Sequence, residues 1–194
     1  MSTKVTEEKV SKEFEQFKKM YRTITLGVEG EGVNTEENPS QGGVSKYGVT
    51  QVTLDAYNKK MNKPRMSVKD ISLPQAEKIA YEEYYVTPGI NKLPEKVREY
   101  AYDFGYQSSP ARAIKYLQAM VGASPDGVIG PKTIKAINDY STKNGVDKTI
   151  DAYADSRMKF LSDLGTKSEY HRNNQAGYQN RVYKIRDQVK SWKY

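Results

Sequence analysis

The first 28 residues carry the pattern that most constrains the fold. Apolar side chains recur at spacings of three and four, which predicts a long amphipathic helix with one buried face. This stripe consists of Val10, Phe14, Phe17, Tyr21, Ile24 and Val28. The pattern ends in VEGEGVN at residues 28–34, where Gly30 and Gly32 favour an exit from the helix. Glu29 is therefore predicted in the last turn, about a quarter-turn from the buried stripe, where the helix dipole raises the pKa of a carboxyl group.

The rest of the chain predicts a mainly α protein, a helical bundle with one small β-ribbon near residues 30–50. The segment from Gly30 to Thr50 is rich in Gly, Asn, Ser and Pro with short β-prone pieces, which is typical of a ribbon or a long functional loop. Helical patterns follow, several of them with a proline at or near their first turn, and Ser72 with Gln75 resembles a capping box.

The amino-acid composition excludes several kinds of catalytic and metal-binding site. The 194 residues include no cysteine and one histidine, so thiol catalysis, disulfides and thiolate metal sites are excluded. His171 lies in a polar run, which favours a surface role. One histidine and no cysteine make a zinc site improbable, and phosphate-binding and dinucleotide-binding glycine motifs do not occur, so we expect no metal and no cofactor. No apolar run reaches the length of a membrane span and no signal peptide is visible, which predicts cytosolic synthesis without stable membrane insertion.

The net charge of +7 favours a polyanionic partner, which could be nucleic acid, an acidic membrane or an anionic cell-wall polymer. The 16 tyrosines suit a groove for a sugar or a base, although half-buried core positions explain part of them. After the exclusion of thiol, histidine and cofactor chemistry, carboxylates are the catalytic groups that remain. Glycoside hydrolysis needs a protonated acid beside the leaving oxygen, and a Glu at the end of a buried helix suits that role.

Five motifs in order resemble one family. They are VEGEGVN at 28–34, GGVSKYGVT at 42–50, DFGYQSSP at 103–110, DGVIGPKT at 126–133 and AGYQNR at 176–181. The first two resemble the N-terminal region of the glycoside hydrolase 108 endolysins, which are N-acetylmuramidases of phage and prophage. The others resemble the peptidoglycan-binding region that follows in that family. The resemblance runs from about residue 14 to residue 187.

The resemblance implies a lysozyme-like fold (α+β) with Glu29 as the catalytic acid. The aspartate that the family carries before its Gly-Gly pair is missing here, so Glu37, and after it Glu36, is the candidate for the second carboxylate. Ser45 occupies the position of the family's threonine and is predicted to orient water. The predicted substrate-binding residues are Tyr47, Asp103, Tyr106 and Gln107. A turn hydroxyl, a half-buried aromatic ring and a helix joint are the structural alternatives for these side chains.

The same resemblance predicts hydrolysis of the β-1,4 bond between N-acetylmuramic acid and N-acetylglucosamine, for host cell lysis. We expect a catalytic region over residues 1–90 and a helical peptidoglycan-binding region over 91–194. The expected partner is the glycan strand, not nucleic acid, and the expected state is a monomer. The protein is expected to accumulate in the host cytoplasm and to reach the cell wall through a holin-type pore. A virion-associated role is the alternative. A non-catalytic peptidoglycan-binding module is the alternative, because the expected aspartate is missing.

Overall fold

A computed structural model describes residues 2–27, 33–34 and 43–193, with side chains over 10–27 and 43–193. The chain divides into two compact units, Met1–Glu83 and Tyr84–Tyr194, which are described separately. In the described parts, no helix combines the length and the hydropathy that a membrane crossing requires. The predicted division at residue 90 stays a prediction.

The first unit begins with one long helix, continues through a small sheet and ends with two shorter helices. Its elements are α1 (Ser2–Tyr21), a π turn (Arg22–Leu26), β1 (Val33–Asn34), β2 (Ser45–Lys46), β3 (Val49–Thr50), α2 (Gln51–Lys60), a 3-10 turn (Val68–Asp70) and α3 (Leu73–Tyr81). A second π turn, Glu82–Val86, follows α3 directly. Ser72 and Gln75 form the predicted capping box at the start of α3.

The sheet has the strand order β1-β2-β3, and both pairs of strands are antiparallel. Asn34 lies opposite Ser45, and Ser45 lies opposite Thr50. The turn between β2 and β3 consists of Tyr47 and Gly48, with φ of 51° and 76°. Two successive positive φ angles define the tight turn that suits the twist of a two-residue hairpin. The predicted β-ribbon near residues 30–50 is therefore confirmed.

The buried face of α1 is shorter than its sequence pattern predicts. Phe17, Tyr21 and Ile24 are buried as predicted, but Val10 is 53% exposed and does not belong to the core. The π turn after Tyr21 adds a residue to one helical turn, so Thr25 and Leu26 are buried next to Ile24. The 3.6-residue period that places the stripe in α1 does not continue through this turn.

The second unit is helical throughout its regular elements. These are a 3-10 turn (Ile90–Lys92), α4 (Val97–Gln107), α5 (Pro110–Met120), α6 (Pro131–Asn144), α7 (Val146–Lys167), α8 (Glu169–Asn173) and α9 (Gln175–Ser191). Pro110 and Pro131 occupy first turns, where the missing N–H costs no hydrogen bond. The core is aromatic and aliphatic, with Tyr100, Phe104, Leu117 and Tyr153 fully buried.

Gly105 sets how closely α4 approaches the start of α5. A Cβ atom at this position would lie 3.1 Å from the Cα atom of Pro110, which is closer than ordinary van der Waals contact. A side chain at this position would require the joint to open by a few tenths of an ångström. The glycine of the DFGYQSSP motif therefore has a packing explanation.

Candidate active site

Both glutamates predicted for catalysis, Glu29 and Glu37, lie outside the described residues, as does Glu36. Their roles stay predictions. The structure does describe the two elements next to them along the chain: the end of the first helix, up to Gly27, and the sheet.

The end of the first helix is held by an ion pair from the π turn. The Nε atom of Arg22 lies 2.6 Å from Oε1 of Glu77, and the Glu77 side chain on α3 is buried. π turns inside helices occur frequently at functional sites. The quarter-turn offset predicted for Glu29 assumed an uninterrupted α-helix, and the π turn removes that assumption.

Ser45 lies in the central strand of the sheet, with Asn34 opposite it on one side and Thr50 on the other. Its side chain is half-buried. The connection from Asn34 to Ser45 carries Glu36 and Glu37 in its sequence. Ser45 is thus fixed by backbone pairing at a half-exposed position, and its predicted role of orienting water stays a prediction.

Tyr47 has both structural and surface contacts. Its ring packs partly against a core cluster in the first unit, and Lys46 Nζ lies 5.3 Å from the ring centroid. The Tyr21 hydroxyl donates a hydrogen bond to the Tyr47 carbonyl, which holds a non-glycine residue at positive φ. These contacts match the half-buried aromatic ring that was the alternative explanation, and a sugar contact stays a prediction.

Asp103 on α4 is the centre of a buried ion-pair network in the second unit. It is 1% exposed. Arg157 Nη1 on α7 donates to Oδ2 at 2.6 Å, and Arg181 Nη2 on α9 donates to Oδ1 at 2.7 Å. Burial alone would raise the pKa of Asp103, but the two guanidinium groups outweigh it and hold the pKa below its usual range. These contacts join three helices, and a substrate contact for Asp103 stays a prediction.

Arg157 was not predicted as a network member. It occupies a position in the apolar stripe of α7, and its guanidinium lies 5.1 Å from the Phe104 ring and 5.7 Å from the Tyr100 ring. A single charged residue in an otherwise apolar helical stripe is the sequence signal that predicts a buried ion pair. Burial raises the pKa of Tyr100 to about 12, so its hydroxyl stays protonated beside this cation.

Tyr106 and Gln107 follow at the end of α4. The Tyr106 ring centroid lies 4.8 Å from that of Tyr84 and 5.5 Å from that of buried Tyr102, so the ring is half-buried in an aromatic group. Gln107 is exposed at the last position of the helix. Their predicted sugar contacts stay predictions.

Gln118 organises the loop of the DGVIGPKT motif and was not predicted either. Its Nε2 donates to Asp126 Oδ1 at 2.8 Å and to the Val128 carbonyl at 3.0 Å, and its Oε1 accepts from the Gly127 amide at 2.8 Å. Asp126 Oδ1 also accepts from the Val128 amide. The motif is thus a tightly bonded turn before α6, and Asp126 accepts backbone and side-chain hydrogen bonds as Asp commonly does in turns. Within the described ranges, no group of three His, Asp or Glu side chains is placed to hold a metal ion.

The architecture is that of a lysozyme-like protein: a mainly α chain with a small antiparallel sheet after its first helix. The sequence model of the family Glycosyl hydrolase 108 matches residues 22–108, and that of the Predicted Peptidoglycan domain matches residues 112–183. The solved structure of Brucella abortus SagA is similar, with a TM-score of 0.72 and 30% sequence identity over 89% of this chain and 94% of that one. No curated protein shows a significant match.

The chain belongs to the glycosyl hydrolase 108 family. It is a glycoside hydrolase, a lysozyme-like protein that degrades peptidoglycan and carries a peptidoglycan-binding region. The predicted family, fold class and enzyme class are therefore confirmed, and peptidoglycan is confirmed as the partner.

Proposed function

We propose that the protein is an endolysin that cleaves the β-1,4 bond between N-acetylmuramic acid and N-acetylglucosamine. The observation that carries the proposal is the glycosyl hydrolase 108 match over residues 22–108, which includes the helix end, the sheet and the chain between them. Glu29 protonates the leaving glycosidic oxygen. Glu37 and Ser45 hold the water that completes hydrolysis.

Digestion of purified peptidoglycan followed by reduction with borohydride tests the bond that is cleaved. The protein is expected to release fragments ending in reduced N-acetylmuramic acid. Fragments ending in reduced N-acetylglucosamine would show that the neighbouring bond is cut and that the proposed specificity is wrong.

Glu29→Gln tests the catalytic acid. We expect the rate of glycan release to fall by about a hundredfold to ten-thousandfold, the contribution of a general acid. Glu31→Gln is the matched control, because it removes the same charge two residues away and is expected to leave the rate nearly unchanged. Equal rates for the wild type and Glu29→Gln would contradict the assignment. Glu37→Gln and Glu36→Gln then show which carboxylate is the second group.

The alternative of a binding module without catalysis makes a different prediction for the same assays. Insoluble peptidoglycan would then retain the wild type without releasing any fragment. Under our proposal, Glu29→Gln still sediments with peptidoglycan, because the region matched by the peptidoglycan model at 112–183 is unchanged.

We further propose that the protein acts in host lysis from the cytoplasm, as an endolysin that crosses a holin-type pore. Its resemblance to phage endolysins supports this proposal. Cytoplasmic expression in a bacterial host is expected to leave cells intact until a pore-forming protein is co-expressed, after which the culture clears. Clearing without the pore, or no clearing with it, would contradict this route.

A further inference from the structure

Glu77 is a charged residue on the buried face of α3. Its neighbours on this face are apolar, with Ala76, Ile79 and Ala80 all buried. The Glu77 side chain is 2% exposed, and its Oε1 atom accepts a hydrogen bond from Arg22 Nε at 2.6 Å. A glutamate is almost never fully buried unless it is paired. This helix therefore carries a paired carboxylate at a position where an apolar side chain would pack without a charge.

Stability alone does not explain a carboxylate at this position. Burying a charge has a large free-energy cost, and a buried ion pair often stabilises a fold no better than apolar side chains of similar volume. The Arg22 side chain is 53% exposed, so water screens its attraction for Glu77. Loss of Glu77 would also leave no buried cation behind, because Arg22 keeps its contact with water. What the pair supplies is a fixed geometry between α3 and the residue to which Glu77 binds.

That residue begins the π turn, Arg22–Leu26, at the end of the first helix. The N–H of Gly27 donates to the Arg22 carbonyl, so the turn closes on the residue that binds Glu77. Glu29, the proposed catalytic acid, follows two residues after Gly27 in the sequence. A contact that fixes Arg22 therefore fixes the last described turn of the chain before Glu29.

Two other contacts hold the first helix, but both precede the π turn. The ring centroids of Phe17 on α1 and Tyr81 on α3 lie 5.2 Å apart. The Tyr21 hydroxyl donates to the Tyr47 carbonyl in the turn of the sheet. These contacts join the body of the helix to α3 and to the sheet, whereas the pair of Arg22 with Glu77 acts on the π turn itself.

We propose that Glu77 is a positioning residue for the catalytic acid. Through Arg22 it fixes the direction in which the chain leaves the π turn toward Glu29. The inference rests on the proposed role of Glu29. A general acid acts only within hydrogen-bond reach of the atom that it protonates, and a displacement of about 1 Å can lower a rate about a hundredfold.

Glu77→Met tests the proposal by separating rate from stability. Methionine has a similar length and no charge, so the melting temperature is expected to be unchanged or higher. With soluble glycan fragments of peptidoglycan as substrate, kcat is expected to fall about tenfold to a hundredfold while KM changes by less than about twofold. An unchanged kcat, or a loss of rate that a lower folded fraction explains, would overturn the proposal.

Arg22→Gln tests the pair from its other side. It is expected to lower kcat by a similar factor. Unlike Glu77→Met, it is expected to lower the melting temperature, because the Glu77 carboxylate stays buried without this guanidinium. The double variant should lose no more rate than Glu77→Met alone, because the two groups act as one unit. Losses that multiply in the double variant would show that the residues act independently and would overturn the proposal.

Glu83→Gln is the matched control. It breaks an exposed ion pair of the same unit, with Lys60 Nζ at 2.8 Å from Glu83 Oε1, and should leave kcat unchanged. Equal losses in Glu83→Gln and Glu77→Met would show that any lost carboxylate lowers the rate, which contradicts a specific role for Glu77.

The Glu29→Gln variant distinguishes the two ways in which the inference can fail. If Glu29→Gln hydrolyses peptidoglycan at the wild-type rate, the catalytic acid is wrongly assigned, and the proposed function and this inference fail together. If Glu29→Gln is slow and Glu77→Met keeps the wild-type kcat, this inference alone fails.

Discussion

In the second unit, individual residues are held in place either by ion pairs or by close packing. Asp103 forms ion pairs with Arg157 and Arg181, and Gly105 leaves room for Pro110. Both belong to one motif, DFGYQSSP, that resembles the family's pattern. The motif itself indicated a polar break between helices. It did not indicate that the aspartate is buried, because its two partners lie 54 and 78 residues further along the chain.

Replacing Asp103 by asparagine should lower the free energy of unfolding by about 3–5 kcal/mol, because it leaves the buried Arg157 guanidinium without its counter-charge. Denaturant unfolding measures this loss. Asp155→Asn is the control, since Asp155 is an exposed residue of the same unit and should change stability little. A loss for Asp103→Asn no larger than for the control would mean that the network does not stabilise the fold.

The network also predicts a pH dependence. The pKa of Asp103 is lower in the folded than in the unfolded state, so the folded protein resists its protonation. The stability it contributes is therefore fully present above the unfolded pKa of about 4 and is lost as the pH falls through the folded value. Thermal unfolding from pH 6 to pH 2 should show a steeper loss for the wild type than for Asp103→Asn. Parallel curves would contradict the prediction.

At the scale of elements, sequence periodicity predicted regular helices well and irregular turns poorly. The predicted stripe is buried at Phe17 and Tyr21 of α1 and at Ile24, which already lies in the π turn, but this turn has no signature in the apolar spacing. Arg181 in the last helix pairs with Asp103, whereas Asn180 beside it is exposed. Gln118 escaped prediction because a buried glutamine in a helix and the loop it binds are linked only by three-dimensional contact.

The loop before α6 should depend on Gln118. Gln118→Ala removes its hydrogen bonds to Asp126, Gly127 and Val128 and should cost about 2–3 kcal/mol, because buried polar groups lose their partners. Hydrogen exchange of the Gly127 amide is expected to be faster in this variant than in the wild type. Gln179→Ala, on exposed surface of α9, is the matched control. Unchanged exchange at Gly127 would show that the loop is held by other contacts.

Over the whole molecule, charge is divided unevenly between the two units. Residues 84–194 contain 18 Lys and Arg against 11 Asp and Glu, whereas residues 1–83 contain 13 of each. The entire net charge of +7 therefore belongs to the second unit, which contains the region matched by the peptidoglycan model. A cationic surface attracts an anionic polymer, and salt weakens the attraction.

Removing charge from the second unit should release the protein from cell walls at lower salt. Lys132, Lys143 and Lys148 are exposed there, and their combined change to Gln is expected to lower the salt concentration that elutes the protein from anionic walls. The matched control changes Lys19, Lys59 and Lys69 in the first unit, which are equally exposed. If both triple variants elute at the same salt concentration, net charge alone governs retention and the division between units does not.

The regions matched by the two family models, residues 22–108 and 112–183, are joined by buried ion pairs. Asp103 belongs to the region matched as a glycosyl hydrolase, and its partners Arg157 and Arg181 belong to the region matched as a peptidoglycan domain. A chimera that joins residues 22–108 to another wall-binding domain would lose both guanidinium groups that pair with Asp103 in the intact chain. The border between the two matched regions thus lies inside one compact unit, residues 84–194, and not between two units.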